Sequence, residues 1–253
     1  MLFTVTEHFT KTARHGSFYL ASGAEAGPLI IFIHGWPELS HSWRHQLRCF
    51  GALGFHCVAP DMRGYGRSST YTTHADYTLE DSVHDMLDLL AHLGRARAIW
   101  VGHDWGSAVV WSLASHHPDH CSAVANLCVP YIANGFAVAN LIALVNREVY
   151  PQSVYPAGQW EYQLFYEESF EGAQSTFEAD IESTVRALFR KGNRAAKGKP
   201  SRTAEVRRDS GWFGGADKAP SIPRDPDVIS EEDLSIYATA LSRNGCLPPT
   251  PGT

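Results

Sequence analysis

The chain has 253 residues and 13 histidines, and no histidine lies beyond His120. Its second half therefore lacks the one side chain whose ordinary pKa suits general-base work near neutrality. Cysteines are few and follow no pairing pattern. Cys49, Cys57, Cys121, Cys128 and Cys246 are odd in number and show no C-x-x-C spacing, so reduced thiols are expected and a metal site is not. Long apolar runs are missing too. The best of them, Phe136–Val145, is broken by Asn140 and is far short of the roughly 20 residues a membrane span needs. The opening segment MLFTVTEHFTKTARHG has no apolar core of secretory type, so a cytoplasmic location is expected. Basic charge is in short supply, with 21 Lys+Arg against 27 Asp+Glu and a formal net charge of −6. That balance argues against a nucleic-acid partner held by a global basic field. No strand-like run ends in G-x-G-x-x-G or a P-loop, and no cofactor of any kind is implied. What the chain does have is apolar material. At 44% hydrophobic and 11% aromatic it is not wholly disordered, and its length suits one large domain or a domain with an insertion.

The first half alternates strand-like and helix-like patterns. Pro28–Ile33 (PLIIFI) reads as a strand buried on both faces. An amphipathic helix over Leu47–Leu53, stopped by Gly54, leads to a strand at Phe55–Ala59. Asp81–Leu93 carries Val83, Met86, Leu87, Leu90 and Leu93 at helical spacing and ends at Gly94. A strand at Ala98–Gly102, a helix from about Ser107 to His116 and a strand at Ser122–Val129 follow. Strand–helix–strand repetition of this kind predicts an α/β fold with a mostly parallel sheet.

After Tyr131 the texture changes. Residues 132–245 read as helices and irregular stretches, so the expected organisation is a core over 1–131, a second unit over 132–245 and a Pro-rich tail over 246–253. Arg186–Arg208 holds nine Lys/Arg and one acidic residue, with Gly192, Gly198 and Pro200 interspersed. A solvated, mobile loop is the expectation there, with an anion or acidic-partner patch as the rival. Ser230–Asn244 reads as a helix with a Ser cap, an acidic first turn and Gly245 as its stop.

Ala98–Gly106 reads AIWVGHDWG, an apolar strand running into Gly102-His103-Asp104-Trp105-Gly106 and then at once into a helix. This is the pattern of a nucleophile elbow, whose glycines permit a cramped strand-to-helix turn that leaves the central side chain exposed above the sheet. The central residue is Asp104, where a serine is commoner; a mere helix cap is the plainer alternative. His34-Gly35-Trp36-Pro37 follows the Pro28–Ile33 strand. In elbow enzymes the loop there and the residue after the nucleophile each give a backbone N–H to an oxyanion hole, which assigns Trp36 and Trp105. His34, Gly35 and Pro37 are expected to shape that loop, as Gly102 and Gly106 shape the elbow. Asp61–Ser68 (DMRGYGRS) is a glycine-rich turn after the next strand.

These motifs, in this order, resemble the α/β-hydrolase superfamily and in particular its epoxide hydrolases. The resemblance covers roughly residues 8–245 and is closest at HGWP, DMRGYGRSS and GHDWGSAVVW. It implies an α/β-hydrolase core with a helical cap, a small apolar epoxide as substrate and no cofactor. It also implies Asp104 as the nucleophile that forms an ester with the epoxide. Tyr162, in Tyr162-Gln163-Leu164-Phe165-Tyr166-Glu167, matches the family tyrosine that hydrogen-bonds the epoxide oxygen as a ring-opening acid. Family members place a catalytic acid and a last histidine after the stretch matching Gly245, where this sequence reads CLPPTPGT. A chain truncated at its carboxyl end is therefore expected, without the final strands and helices of the core. Such a chain would form the ester without turning over, and would leave the last strand as an aggregation-prone edge. GHDWGS also occurs in haloalkane dehalogenases, so a dehalogenase-like hydrolase and a non-catalytic binding remnant stay open beside the epoxide reading, which Trp36 favours.

Overall fold

The computed structural model describes residues 4–246. The chain divides into two compact units, the first ending at Tyr131 and the second spanning Ile132–Cys246.

The first unit is built on six strands: β1 (Thr6–Lys11), β2 (Gly16–Ser22), β3 (Leu29–Ile33), β4 (His56–Pro60), β5 (Ala98–His103) and β6 (Cys121–Leu127). They form one sheet in the order β1-β2-β4-β3-β5-β6. The hairpin β1–β2 joins β4 antiparallel, while β4, β3, β5 and β6 run parallel. Parallel neighbours require crossovers, and helices α1 (Arg44–Ala52), α2 (Leu79–His92) and α3 (Trp105–His116) provide them. Side chains alternate across each strand, so the sheet feeds two cores. Leu29, Ile31 and Ile33 face a layer with Val58, Met86, Leu89, Trp100, Val110 and Leu113. Ile30 and Phe32 face the opposite layer, with Phe18, Leu20, Cys57, Trp43 and Leu47.

Several boundaries depart from the sequence expectation. The hairpin β1–β2 is not foreseen by apolar periodicity, because β1 is exposed at every position except Thr10 and shows no buried stripe to read. Helix α2 starts at Leu79 rather than Asp81, since the Thr78 hydroxyl caps it by accepting from the Asp81 N–H at 3.0 Å. Strand β6 stops at Leu127 rather than Val129, because Cys128 takes φ 64° and turns the chain out of the ladder. Helix α3 begins at Trp105, two residues earlier than expected, directly behind the elbow.

Within the second unit the described elements are all helical: α4 (Val138–Ile142), α5 (Glu161–Glu178), α6 (Ile181–Leu188), α7 (Arg202–Glu205) and α8 (Glu231–Asn244). Helix α5 is interrupted at Ser169, whose φ of −144° and ψ of 39° are not helical. Arg186–Arg208 is not the single mobile loop of the sequence expectation. Its first three residues belong to α6, residues 190–199 are exposed, and its carboxyl end is tied down by ion pairs. Arg202 pairs with Asp209 at 2.6 Å and Arg207 with Glu168 at 2.5 Å, so acidic residues outside the run take up its charge. Helix α8 opens with a full capping box. The Ser230 hydroxyl accepts from the Asp233 N–H at 3.0 Å, and the Asp233 carboxylate accepts from the Ser230 N–H at 2.9 Å. A Ser230→Ala substitution is expected to cost about 1 kcal/mol of stability, measurable as a lowered urea midpoint with unchanged slope.

Candidate active site

The elbow is a point of backbone strain. Strand β5 ends at His103, α3 starts at Trp105, and Asp104 between them sits at φ 52° and ψ −126°, a region non-glycine residues seldom occupy. The crossing is cramped. A Cβ on Gly106 would stand 2.3 Å from the Ile33 carbonyl oxygen, so this first turn of α3 closes on β3 only with glycine. Gly102 lies opposite Asn126 in the β5–β6 ladder. The loop after β3 closes on the elbow equally tightly, and a Cβ on Gly35 would lie 2.4 Å from both Cβ and Oδ1 of Asp104.

That approach brings the Trp36 N–H to Asp104, where it donates to Oδ1 at 2.9 Å. The peptide between Trp36 and Pro37 is cis. Asp104 occupies the N-cap position of α3, yet its side chain makes no capping hydrogen bond there. Its carboxylate is turned to the loop instead. Burial pushes the Asp104 carboxyl above its ordinary value, while the N–H groups of Trp36 and Trp105 pull in the opposite direction. Two backbone donors thus converge on one poorly solvated carboxylate.

His34 lies just beneath this loop and is almost fully buried. Its Nδ1 donates to the Gly35 carbonyl at 2.9 Å and its Nε2 accepts from the Met62 N–H at 2.9 Å. Burial holds His34 below its ordinary pKa, so the neutral ring joins two loops with both nitrogens engaged. The glycine-rich turn is fixed in turn by Asp61, whose carboxylate accepts from the N–H groups of Ser40 and Arg67, each at 2.9 Å.

One pair escaped the sequence reading. His103 Nδ1 stands 3.0 Å from Oε2 of Glu38, the residue after the HGWP motif. The hydrogen bond to Glu38 lifts the His103 pKa, and His103 holds Glu38 below the usual carboxylate range against the effect of its burial. The only hint in the sequence was a carboxylate four residues after His34 together with a histidine flanking the nucleophile. A Glu38→Gln variant is expected to bring the His103 pKa down toward 6.5, followed by NMR titration of its imidazole. An unmoved titration would break the pair as described.

Tyr162 belongs to the second unit, on the first turn of α5, where its hydroxyl accepts from Gln163 Nε2 at 3.2 Å. Among the described residues no group of three or more His, Cys, Asp or Glu is placed to hold a metal ion, and no helix is long and apolar enough to cross a membrane.

A family model described as the alpha/beta hydrolase fold matches residues 28–212, which includes the elbow and the loop after β3. Epoxide hydrolase A of Mycobacterium tuberculosis is 33% identical over 226 residues, covering 88% of this chain and 66% of that protein. Bifunctional epoxide hydrolase 2 of Sus scrofa is 32% identical over 221 residues, covering 87% of this chain and 36% of that protein. Among solved structures, epoxide hydrolase A from Mycobacterium thermoresistibile superposes with a TM-score of 0.76 at 28% identity, over 97% of this chain and 73% of that one. The chain thus spans from about a third to two thirds of the length of these curated relatives. By its fold, its elbow and these matches, the chain belongs to the α/β-hydrolase fold family and is similar to the epoxide hydrolases within it.

Proposed function

We propose that this chain opens a small apolar epoxide by forming an ester at Asp104. The observation that carries this reading is the half-buried Asp104 carboxylate at the tip of the elbow, bonded at 2.9 Å by the Trp36 N–H. A carboxylate needs no base to activate it, and partial desolvation makes it a better nucleophile. One carboxylate oxygen attacks an epoxide carbon and that carbon's bond to oxygen breaks. The bonding pair passes to the epoxide oxygen, which takes a proton from the Tyr162 hydroxyl; residues 132–245 act as the cap that carries this tyrosine. Water attack on the carboxyl carbon of the Asp104 ester would then move the carbonyl pair onto its oxygen, and the backbone N–H groups of Trp36 and Trp105 would stabilise that oxyanion.

Water attack on the ester requires a general base, and the histidines around the elbow do not supply it. Both nitrogens of His34 are engaged. His103 is paired with Glu38 and held toward its cationic form. His116, His117 and His120 lie at and beyond the far end of α3, roughly 18 Å from Asp104 at 1.5 Å per helical residue. With residues 1–253 alone, the ester should therefore persist. Incubation with a reactive epoxide such as styrene oxide, followed by intact-mass measurement, is expected to show one added substrate mass per chain and no diol beyond one equivalent. Many equivalents of diol would overturn the single-turnover reading, and the absence of any adduct would overturn the ester.

A further inference from the structure

The arginine-rich segment has no role in the chemistry described so far, yet its carboxyl end is paired to the helix that carries the residue given the acid's part. The Tyr162 ring meets the edges of two others, Tyr166 at 5.8 Å and 87° and Trp212 at 6.2 Å and 63° between centroids and planes. Trp212 and Tyr166 are themselves joined, because the indole Nε1–H donates to the Tyr166 hydroxyl at 2.6 Å. Three rings are thus closed into a triangle by one short hydrogen bond. Trp212 is held from its main chain as well. The Arg202 guanidinium donates to the Trp212 carbonyl from Nε at 3.0 Å and Nη2 at 2.8 Å, and to the Gly211 carbonyl at 2.8 Å. Asp209 anchors the same guanidinium at 2.6 Å. On the helix side, Arg207 reaches Glu161 at 3.4 Å and Glu168 at 2.5 Å, spanning the two turns of α5 that contain Tyr162 and ending just before the break at Ser169.

We propose that Trp212 is a positioning residue for Tyr162, and that Arg202 and Arg207 brace the pair. The proposal rests on the reading of Tyr162 as the ring-opening acid. A phenol on the first turn of a helix can swing about its first side-chain torsion, which carries its hydroxyl several ångströms, whereas rotation of the ring about the second leaves the hydroxyl oxygen on its axis. Edge contacts from two rings that are hydrogen-bonded to each other restrict that freedom, and ring opening is sensitive to displacements of about 1 Å. Nothing in this arrangement calls for an acidic partner, since the charges of Arg202 and Arg207 are met within the unit.

The test is a set of variants read by the rate of ester formation on styrene oxide. Trp212→Phe removes the indole donor and keeps a ring; Tyr166→Phe removes the acceptor and keeps another. Each is expected to slow the maximal rate roughly tenfold or more while leaving the half-saturating epoxide concentration unchanged. The double variant is expected to be no slower than the slower single one, because both remove the same hydrogen bond. A purely structural role would lower the melting temperature without that split. If Tyr162→Phe slows the reaction and neither Trp212→Phe nor Tyr166→Phe does, the brace is wrong and the acid stands. If Tyr162→Phe has no effect, the acid reading fails instead. The near-ultraviolet circular-dichroism difference between the unsubstituted protein and Tyr162→Phe reads the ring cluster whether or not ester forms. The proposal is overturned if Trp212→Phe leaves that difference unchanged.

Discussion

Asp104→Asn is expected to abolish ester formation, lowering its rate by at least roughly a thousandfold and leaving the intact mass unchanged after incubation with epoxide. The effect should be chemical rather than structural. An asparagine can turn its carbonyl oxygen toward Trp36 and keep the 2.9 Å hydrogen bond that Asp104 accepts there, so the loop after β3 need not move. What disappears is the nucleophile, because an amide oxygen carries no full charge. Unfolding of the variant should accordingly shift by no more than about 1 kcal/mol. Asp104→Glu sharpens the point. It keeps the charge but adds a methylene beside Gly35, where a Cβ would already lie 2.4 Å from the aspartate side chain, so it should fail to form the ester for steric reasons. In the unsubstituted protein the ester-forming rate should rise with pH through a midpoint above the ordinary carboxyl value, since burial raises the Asp104 pKa and only the ionised form attacks. An adduct on Asp104→Asn at the unsubstituted rate would remove Asp104 from the chemistry altogether.

How much of this was written legibly in the chain depends on the distance over which each feature is decided. The elbow is local. Gly102, Asp104 and Gly106 declare a strained strand-to-helix turn within five residues, and the turn is there, with Asp104 at φ 52°. The capping box at Ser230 and Asp233 is legible for the same reason, because its two hydrogen bonds close within a single turn. Strand β3, buried at all five positions, shows as an unbroken apolar run. The pairing of Glu38 with His103 is different. It joins residues 65 apart, and nothing in either motif says that the end of β5 will stand beside the loop after β3 until the sheet order is known. Strand β1 is illegible because it is an exposed edge, where backbone pairing rather than burial selects the residues. The carboxyl half of the basic run misled in a related way. Its composition is that of a solvated loop, yet Glu161, Glu168 and Asp209 neutralise Arg202 and Arg207 and give the segment a fixed course.

The largest stability effect is expected away from the elbow, at Asp85 on α2. Its carboxylate is 1% exposed and faces the Arg63 guanidinium, itself 5% exposed, at 2.8 Å. A second contact, Nη2 of Arg63 to the other carboxylate oxygen at 2.9 Å, makes the pair bidentate. Arg14 reaches the same carboxylate at 2.8 Å, though its side chain is 40% exposed and water screens most of what it adds. The pair ties α2 to the glycine-rich turn that supports His34. Asp85→Ala leaves the buried Arg63 charge without its carboxylate, and the expected loss is about 3–5 kcal/mol, read as a fall in the urea midpoint. A joint Asp85→Leu and Arg63→Met replacement should lose much less, because it removes both charges instead of stranding one. Equal losses would show that packing, not the uncompensated charge, sets the cost. The acid limb carries a separate signature. His15 lies 3.7 Å from Asp85, and burial holds its pKa below 6.5 in spite of the carboxylate. Because the folded form binds that proton less readily than the unfolded chain does, the stabilisation is complete above about pH 6.5 and is lost as pH falls below it. Buried His34 adds to the same trend. Removing the Asp85 charge takes away an influence that raises the His15 pKa, so the Asp85→Asn variant should lose stability more steeply on acidification than the unsubstituted protein. A shallower acid limb in that variant would mean that His15 does not feel Asp85 across the 3.7 Å between them.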